Sequence, residues 1–165
     1  MSSVRSSKKS PAVPAPADTA APASEPVDTG FLRTLVGYNT RRAALSIIAV
    51  FMERMAVYDL KVVDFSVLSL VAHNPGITSR QLCATLSVLP PNMVGLIAAL
   101  ERRGLIERRP HPSDGRAMGV HLTPAGVELT AQAEQTAAQL EEDATHRLTA
   151  AERKTLIRLL QKVYD

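Results

Sequence analysis

The feature that most constrains this chain is an interruption. Helical periodicity runs up to Arg103 and resumes at Pro124, and between them the residues follow a different rule. "LIERRPH" (105–111) reads as a short strand. "PSDG" (112–115) is a turn in which proline, serine, aspartate and glycine are each favoured for a different physical reason. "AMGVHLT" (117–123) reads as the returning strand. An isolated two-stranded hairpin is marginal in water, so this one must lean on the helices around it.

Those helices announce their own ends. Phe31, Leu35, Tyr38, Leu45, Ile48, Phe51 and Met52 recur at helical spacing and predict a long first helix to about Tyr58. Its second half is apolar over a wide face, which calls for more than one packing surface; a partner subunit is one way to supply it. Asp64 is expected to cap a short helix that Asn74-Pro75-Gly76 ends. Thr78 and Gln81 have the spacing of a capping box and open a second short helix to about Leu86. Pro90 and Pro91 fit the first turn of a third, with Met93, Leu96, Ile97 and Leu100 facing inward and Gly104 as its left-handed stop. Thr123-Pro124 starts a helix over about 125–147. Thr149 and Glu152 form a second box for a final helix striped by Leu156, Leu159, Leu160 and Val163.

Composition narrows the function. The chain has 165 residues, 45% of them hydrophobic and 4% aromatic, which suits one domain with an aliphatic core of packed helices. Its formal charge of +3 permits a nucleic-acid partner without demanding one. A single cysteine, Cys83, allows no internal disulfide and fits a reducing compartment. No apolar run approaches the roughly 20 residues that span a bilayer, and no signal peptide is expected, so the reading is cytoplasmic with no membrane partner. Residues 1–29 are rich in Pro, Ala, Ser and Thr and are expected to form a disordered tail. His73, His111, His121 and His146 make no metal-ligand pair at helical spacing, so no metal and no cofactor are expected. The chain holds no Gly-rich phosphate loop and no nucleophile elbow, and an enzyme is not expected.

Two short helices followed by a hairpin make a winged helix. In such modules the second helix enters the major groove, its N-terminal backbone N–H groups can meet phosphate, and the hairpin can carry a cation to the neighbouring backbone or minor groove. The stretch from "LVAHNPGITSRQLCATLSVLPPNMVGLIAAL" through "ERRGLIERRPHPSDGRAMGVHLTPAG" resembles the DNA-binding core of the MarR family of bacterial transcription regulators, most specifically in "LERRGLIERR", "HPSDGRA" and "VHLTPAG". The resemblance covers about Phe31 to the C-terminus. It implies a mainly α fold: a winged helix-turn-helix with a two-stranded wing over 61–124, flanked by N- and C-terminal dimerisation helices over 30–60 and 125–165. It also implies a homodimer on a pseudo-palindromic operator in double-stranded DNA, read as a repressor released by a small-molecule effector.

Carried over by position, Asp114 and Arg116 match the family's wing tip, with Ser113 helping to form the turn that lifts Arg116. Arg103, Arg108 and Arg109 match the basic positions between the recognition helix and the wing, and Pro91 and Asn92 match that helix's start. An effector pocket between the dimerisation helices and the winged helix would draw on Tyr38, Arg41, Arg42, Met52, Met55 and Tyr58. The chain departs from the family pattern in two places. Leu89, Val94 and Gly95 stand where polar or basic residues are common, and Ala117 follows Arg116 where a second arginine is frequent. Two readings of the recognition helix stay open: Val94 and Gly95 approach DNA closely and touch thymine methyl groups, or sequence discrimination is weak and phosphate contact dominates. The corresponding alternative function is a winged-helix dimer that serves as a protein-interaction module with weak or non-specific DNA binding.

Overall fold

The computed structural model describes residues 27–111 and 114–164, and the backbone alone for 111 and 114–117. In chain order come α1 (Gly30–Arg33), α2 (Val36–Met55), a 3-10 turn (Ala56–Tyr58), α3 (Val62–His73), β1 (Ile77–Thr78), α4 (Ser79–Leu86), α5 (Pro90–Arg102), β2 (Ile106–His111), β3 (Asp114–Leu122), α6 (Pro124–Ala144) and α7 (Ala150–Tyr164). The expected order of helices and hairpin is present. The tail over 1–29 lies, apart from 27–29, outside the described residues.

Local chemistry sets most boundaries. The Thr78 hydroxyl accepts the Gln81 N–H at 3.3 Å while the Gln81 carbonyl oxygen accepts the Thr78 N–H at 2.8 Å, closing the predicted box at the start of α4. The Thr149–Glu152 box at α7 is closed the same way. Thr123 caps α6 by accepting the Gly126 N–H at 3.0 Å. Asp64 does not stand at the cap of α3 as expected. It lies one turn in and its carboxylate reaches back to accept the Lys61 N–H at 3.1 Å, so the helix starts two residues earlier than the aspartate. The predicted first helix is broken at Thr34 and Leu35, where Leu35 turns extended before α2 begins.

The expected two-stranded wing is formed by β2 and β3, and the short β1 joins it to make a three-stranded antiparallel sheet in the order β1-β3-β2. Ile77 pairs with Val120 and Thr78 with Gly119, so the connection before α4 becomes an edge of the wing's base. This pairing is tight: a Cβ on Gly119 would stand 2.8 Å from the Gly76 carbonyl oxygen. The returning strand begins at Asp114 rather than Ala117, and the register shifts between Pro110 and His111.

The core lies between α3, α4, α5, the sheet and α6. Met55, Val67, Leu68, Leu82, Met93, Leu100, Ile106, Val120 and Leu140 are fully buried there, and the rings of Phe51 and Phe65 meet edge to face at 5.6 Å. The two ends of the chain contrast sharply with this. Neither α1 nor α7 buries a residue, and α2 buries only Phe51 and Met55, at its end. Phe31, Val36, Leu159 and Val163 are exposed, and an apolar cavity of about 590 Å³ opens between the first half of α2 and α7. Apolar stripes left open on three helices mark an interaction surface.

Candidate nucleic-acid interface

The interface is built on α4 and α5. Ser87 ends α4 in a left-handed conformation (φ 51°), Val88 N–H bonds back to the Cys83 carbonyl at 3.1 Å, and the chain bends 115° into α5. That angle falls in the range of helix-turn-helix pairs. Met93, Ile97 and Leu100 anchor α5 in the core. Pro91, Asn92, Val94 and Gly95, four of the residues singled out from sequence, come out together on its exposed side.

One expectation fails at the start of this helix. Pro90 and Pro91 have no N–H to give, and both the Asn92 and Met93 N–H groups bond the Leu89 carbonyl, at 3.0 and 3.1 Å. The N-terminus of α5 therefore offers no free backbone donors to a phosphate. Anion contact on this face falls to side chains.

The arginines divide into three groups. Arg108 lies on β2 and faces α5, where its guanidinium stands 3.0 Å from Glu101. Arg109, the next residue along the strand, points to the opposite face and pairs with Glu107. Both pairs are partly solvated, so little energy holds either arginine in place. Arg103 is placed otherwise. Its guanidinium donates to the carbonyl oxygens of Tyr58 and Asp59, each at 2.8 Å, and ties the end of α5 to the 3-10 turn. Tyr58 in turn bonds Thr136 of α6 at 2.9 Å through its hydroxyl. Ser113, and the side chains of Asp114 and Arg116, lie outside the described residues.

A groove of about 280 Å³ separates the first turn of α4, the exposed side of α5 and the base of the wing. Val94 and Met118 are among its apolar lining residues, and Arg80 and Arg108 line it as well. Sequence reading missed Arg80. The Thr78–Gln81 box already placed it in the first turn of α4, but only the approach of the wing makes that turn part of this face.

The six effector candidates are not brought together within the protomer. Tyr38, Arg41 and Arg42 lie in the first half of α2, while Tyr58 lies in the 3-10 turn beyond its far end, at least roughly 20 Å away at the rise of a helix. Met55 is wholly buried in the core, and Met52 is exposed. The cavity against α7 is lined instead by another stripe of α2 that includes Val36, Asn39, Ala43 and Ile47. Residues of one helix three or four apart share a face; Tyr38, Arg41 and Arg42 fall off this one. Among the described residues, no three of His, Cys, Asp and Glu gather as metal ligands, and no single helix is long and apolar enough to cross a membrane.

Comparison with known proteins places this geometry. The model of the MarR family matches residues 58–117. A Thauera aromatica protein, whose name assigns it to transcriptional regulation of the hcr operon, is 37% identical over 100 residues; the match covers 61% of this chain and 60% of that protein. Among solved structures, the transcriptional repressor CouR bound to a 23-mer DNA duplex superposes with a TM-score of 0.79 at 34% identity, covering 85% of this chain and 99% of that one. A MarR family protein of Mycobacterium tuberculosis in complex with salicylic acid superposes at 0.64 with 26% identity, covering 78% and 96%. A bent helix pair, a winged three-stranded sheet and identity of this extent over nearly the whole of a solved relative lead to one conclusion: the chain belongs to the MarR family of transcriptional regulators.

Proposed function

We propose that this protein is a dimeric, sequence-specific DNA-binding transcriptional regulator, a repressor released by a small-molecule effector. The observation that carries the reading is the exposed side of α5 standing beside a groove at which Arg80 and Arg108 stand, with Arg116 further along the wing and Arg109 on the wing's other face. The DNA-bound CouR relative supports it. Dimerisation belongs to the same reading. It would cover the apolar faces of α1, α2 and α7 and set two copies of α5 about one DNA turn apart, roughly 34 Å, for a pseudo-palindrome. The relative in complex with salicylic acid supports an effector of small-molecule kind. An effector acts only through different affinity for two arrangements of the dimer, so its site belongs where the two protomers and the winged helix meet. Tyr38, Arg41 and Arg42 remain candidates there as exposed or half-exposed groups of α2. The role is that of a cytoplasmic binding protein without turnover.

Salt titration of duplex binding tests the reading. Neutralising several phosphates makes the affinity fall steeply as salt rises, with a slope near −0.9 per contact. Arg108→Ala or Arg116→Ala is expected to make that slope shallower by about 1. Absence of any duplex binding at low salt would sink the proposal and favour a protein-contact role for the same face.

A further inference from the structure

We infer that α5 reads A·T base pairs, with Asn92 bonding one adenine and Val94 packing on a neighbouring thymine methyl. The inference rests on the DNA-binding reading and specifies what that face recognises. Of the exposed residues in the first two turns of α5, Asn92 alone carries a polar side chain; the others are Pro90, Pro91, Val94 and Gly95. Val94 is 58% exposed, and Leu89, immediately before the helix, is 69% exposed. In the major groove, guanine shows two acceptors and cytosine a donor, whereas thymine shows the only apolar group, its C5 methyl. An apolar side chain pressed on a G·C edge strips water from polar atoms and returns nothing. Pressed on a thymine methyl it removes apolar surface from water. The asparagine amide, with one donor and one acceptor side by side, matches adenine N6 and N7.

Gly95 adds an independent observation. A Cβ built there meets nothing within 4 Å, so no contact inside the protomer demands glycine. Glycine in a helix interior is unfavourable relative to alanine. What the missing side chain does supply is close approach: the α5 backbone can sit deep enough for Asn92 and Val94, which are short, to touch base edges. Because the first turn of α5 has no free N–H, orientation on the duplex is left to arginines at the sides, Arg80 and Arg108 among them. Phosphate contact then positions the helix while a small number of A·T contacts specify the sequence.

The test starts with selection of preferred duplexes from a random pool by the full-length protein. Half-sites are expected to enrich adenine at one fixed position with thymine beside it. Replacing those thymines by deoxyuridine removes methyl groups and keeps every hydrogen bond; affinity is expected to fall several-fold. Val94→Ser is expected to abolish that uracil penalty. Asn92→Ala is expected to lose roughly five- to a hundred-fold in affinity for the selected site and to relax the adenine preference. Gly95→Ala is expected to raise the thermal midpoint while weakening specific binding, a combination that lost folding cannot produce. Enriched G·C pairs under α5, a flat pool, or equal affinity for thymine and uracil duplexes would overturn the inference while leaving duplex binding itself intact. Absence of duplex binding at low salt is the separate result that removes the underlying reading.

Discussion

Arg103 and Arg108 lie five positions apart and make contrasting use of the same guanidinium. Arg103 serves two carbonyl oxygens of the chain that carries α2 into α3, and its side chain is only 30% exposed. Charge-assisted bonds of this kind contribute more than neutral ones. Arg103→Ala is expected to cost about 1–2 kcal/mol in chemical denaturation and to leave the salt slope of DNA binding unchanged. Arg108→Ala is expected to do the reverse, staying within about 0.5 kcal/mol in stability while flattening the slope. A pair of titrations on the two variants distinguishes a positioning arginine from a phosphate contact. Glu152 shows a second residue-scale effect. Bonds from the Thr149 N–H and hydroxyl hold its carboxyl below the usual glutamate range, with a small opposing effect of desolvation. A lowered folded-state value means that the box contributes fully above the ordinary range and is lost as pH falls through the lowered one. Acid titration of helicity should therefore show α7 loosening at low pH, and Glu152→Gln should remove that dependence.

At the scale of elements, the wing is held from below. A Cβ on Gly126, in the first turn of α6, would overlap the carbonyl oxygen of Leu105 at the root of β2. The Thr123 hydroxyl donates to the Gly104 carbonyl at 2.6 Å across the same junction. Backbone on both sides leaves little room for relief. Gly126→Ala is expected to cost about 1–3 kcal/mol, as overpacking does, and to weaken DNA binding by tilting the hairpin away from α5; thermal melting and duplex affinity check the two halves of this statement. A mechanical path also runs between elements. Thr136 of α6 holds Tyr58, whose carbonyl holds Arg103 at the end of α5. Tyr58→Phe keeps the ring and removes the hydroxyl, so it tests whether that path contributes to placing α5: an unchanged duplex affinity would show that packing alone suffices.

For the whole molecule, the proposed dimer accounts for the apolar surface that the protomer leaves open. Exposed apolar positions on α1, α2 and α7, with Phe31 and Val163 at 75% and 73% exposure, are too continuous for a solitary surface. Leu159→Glu together with Val163→Glu is expected to turn dimer into monomer by light scattering and to abolish operator binding, because one half-site contact cannot replace two joined ones. Persistence of a stable dimer would place the interface elsewhere.

Helix ends were legible from the residues alone, because caps, prolines and left-handed glycines act within four residues of themselves: Thr78, Thr123, Thr149 and Gly104 all stand where they were expected. The winged helix was legible too, as an order of such local signals. The exposed cluster of Pro91, Asn92, Val94 and Gly95 followed from helical period once Met93, Ile97 and Leu100 were assigned inward. What only the tertiary structure decided are the pairings between distant segments. Ile77 and Thr78 become a strand because β3 passes beside them, and Arg80 joins the groove for the same reason. Arg103 turns from a surface cation into a tie because the turn after α2 presents two carbonyls to it. Met55 is wholly buried and Tyr58 is tied through its hydroxyl to Thr136 of α6, placements that depend on where α6 packs. Short-range rules depend on a residue and its near neighbours, so the chain spells them out in order; contacts across 40 residues or more depend on where the backbone has been carried, which no local pattern records.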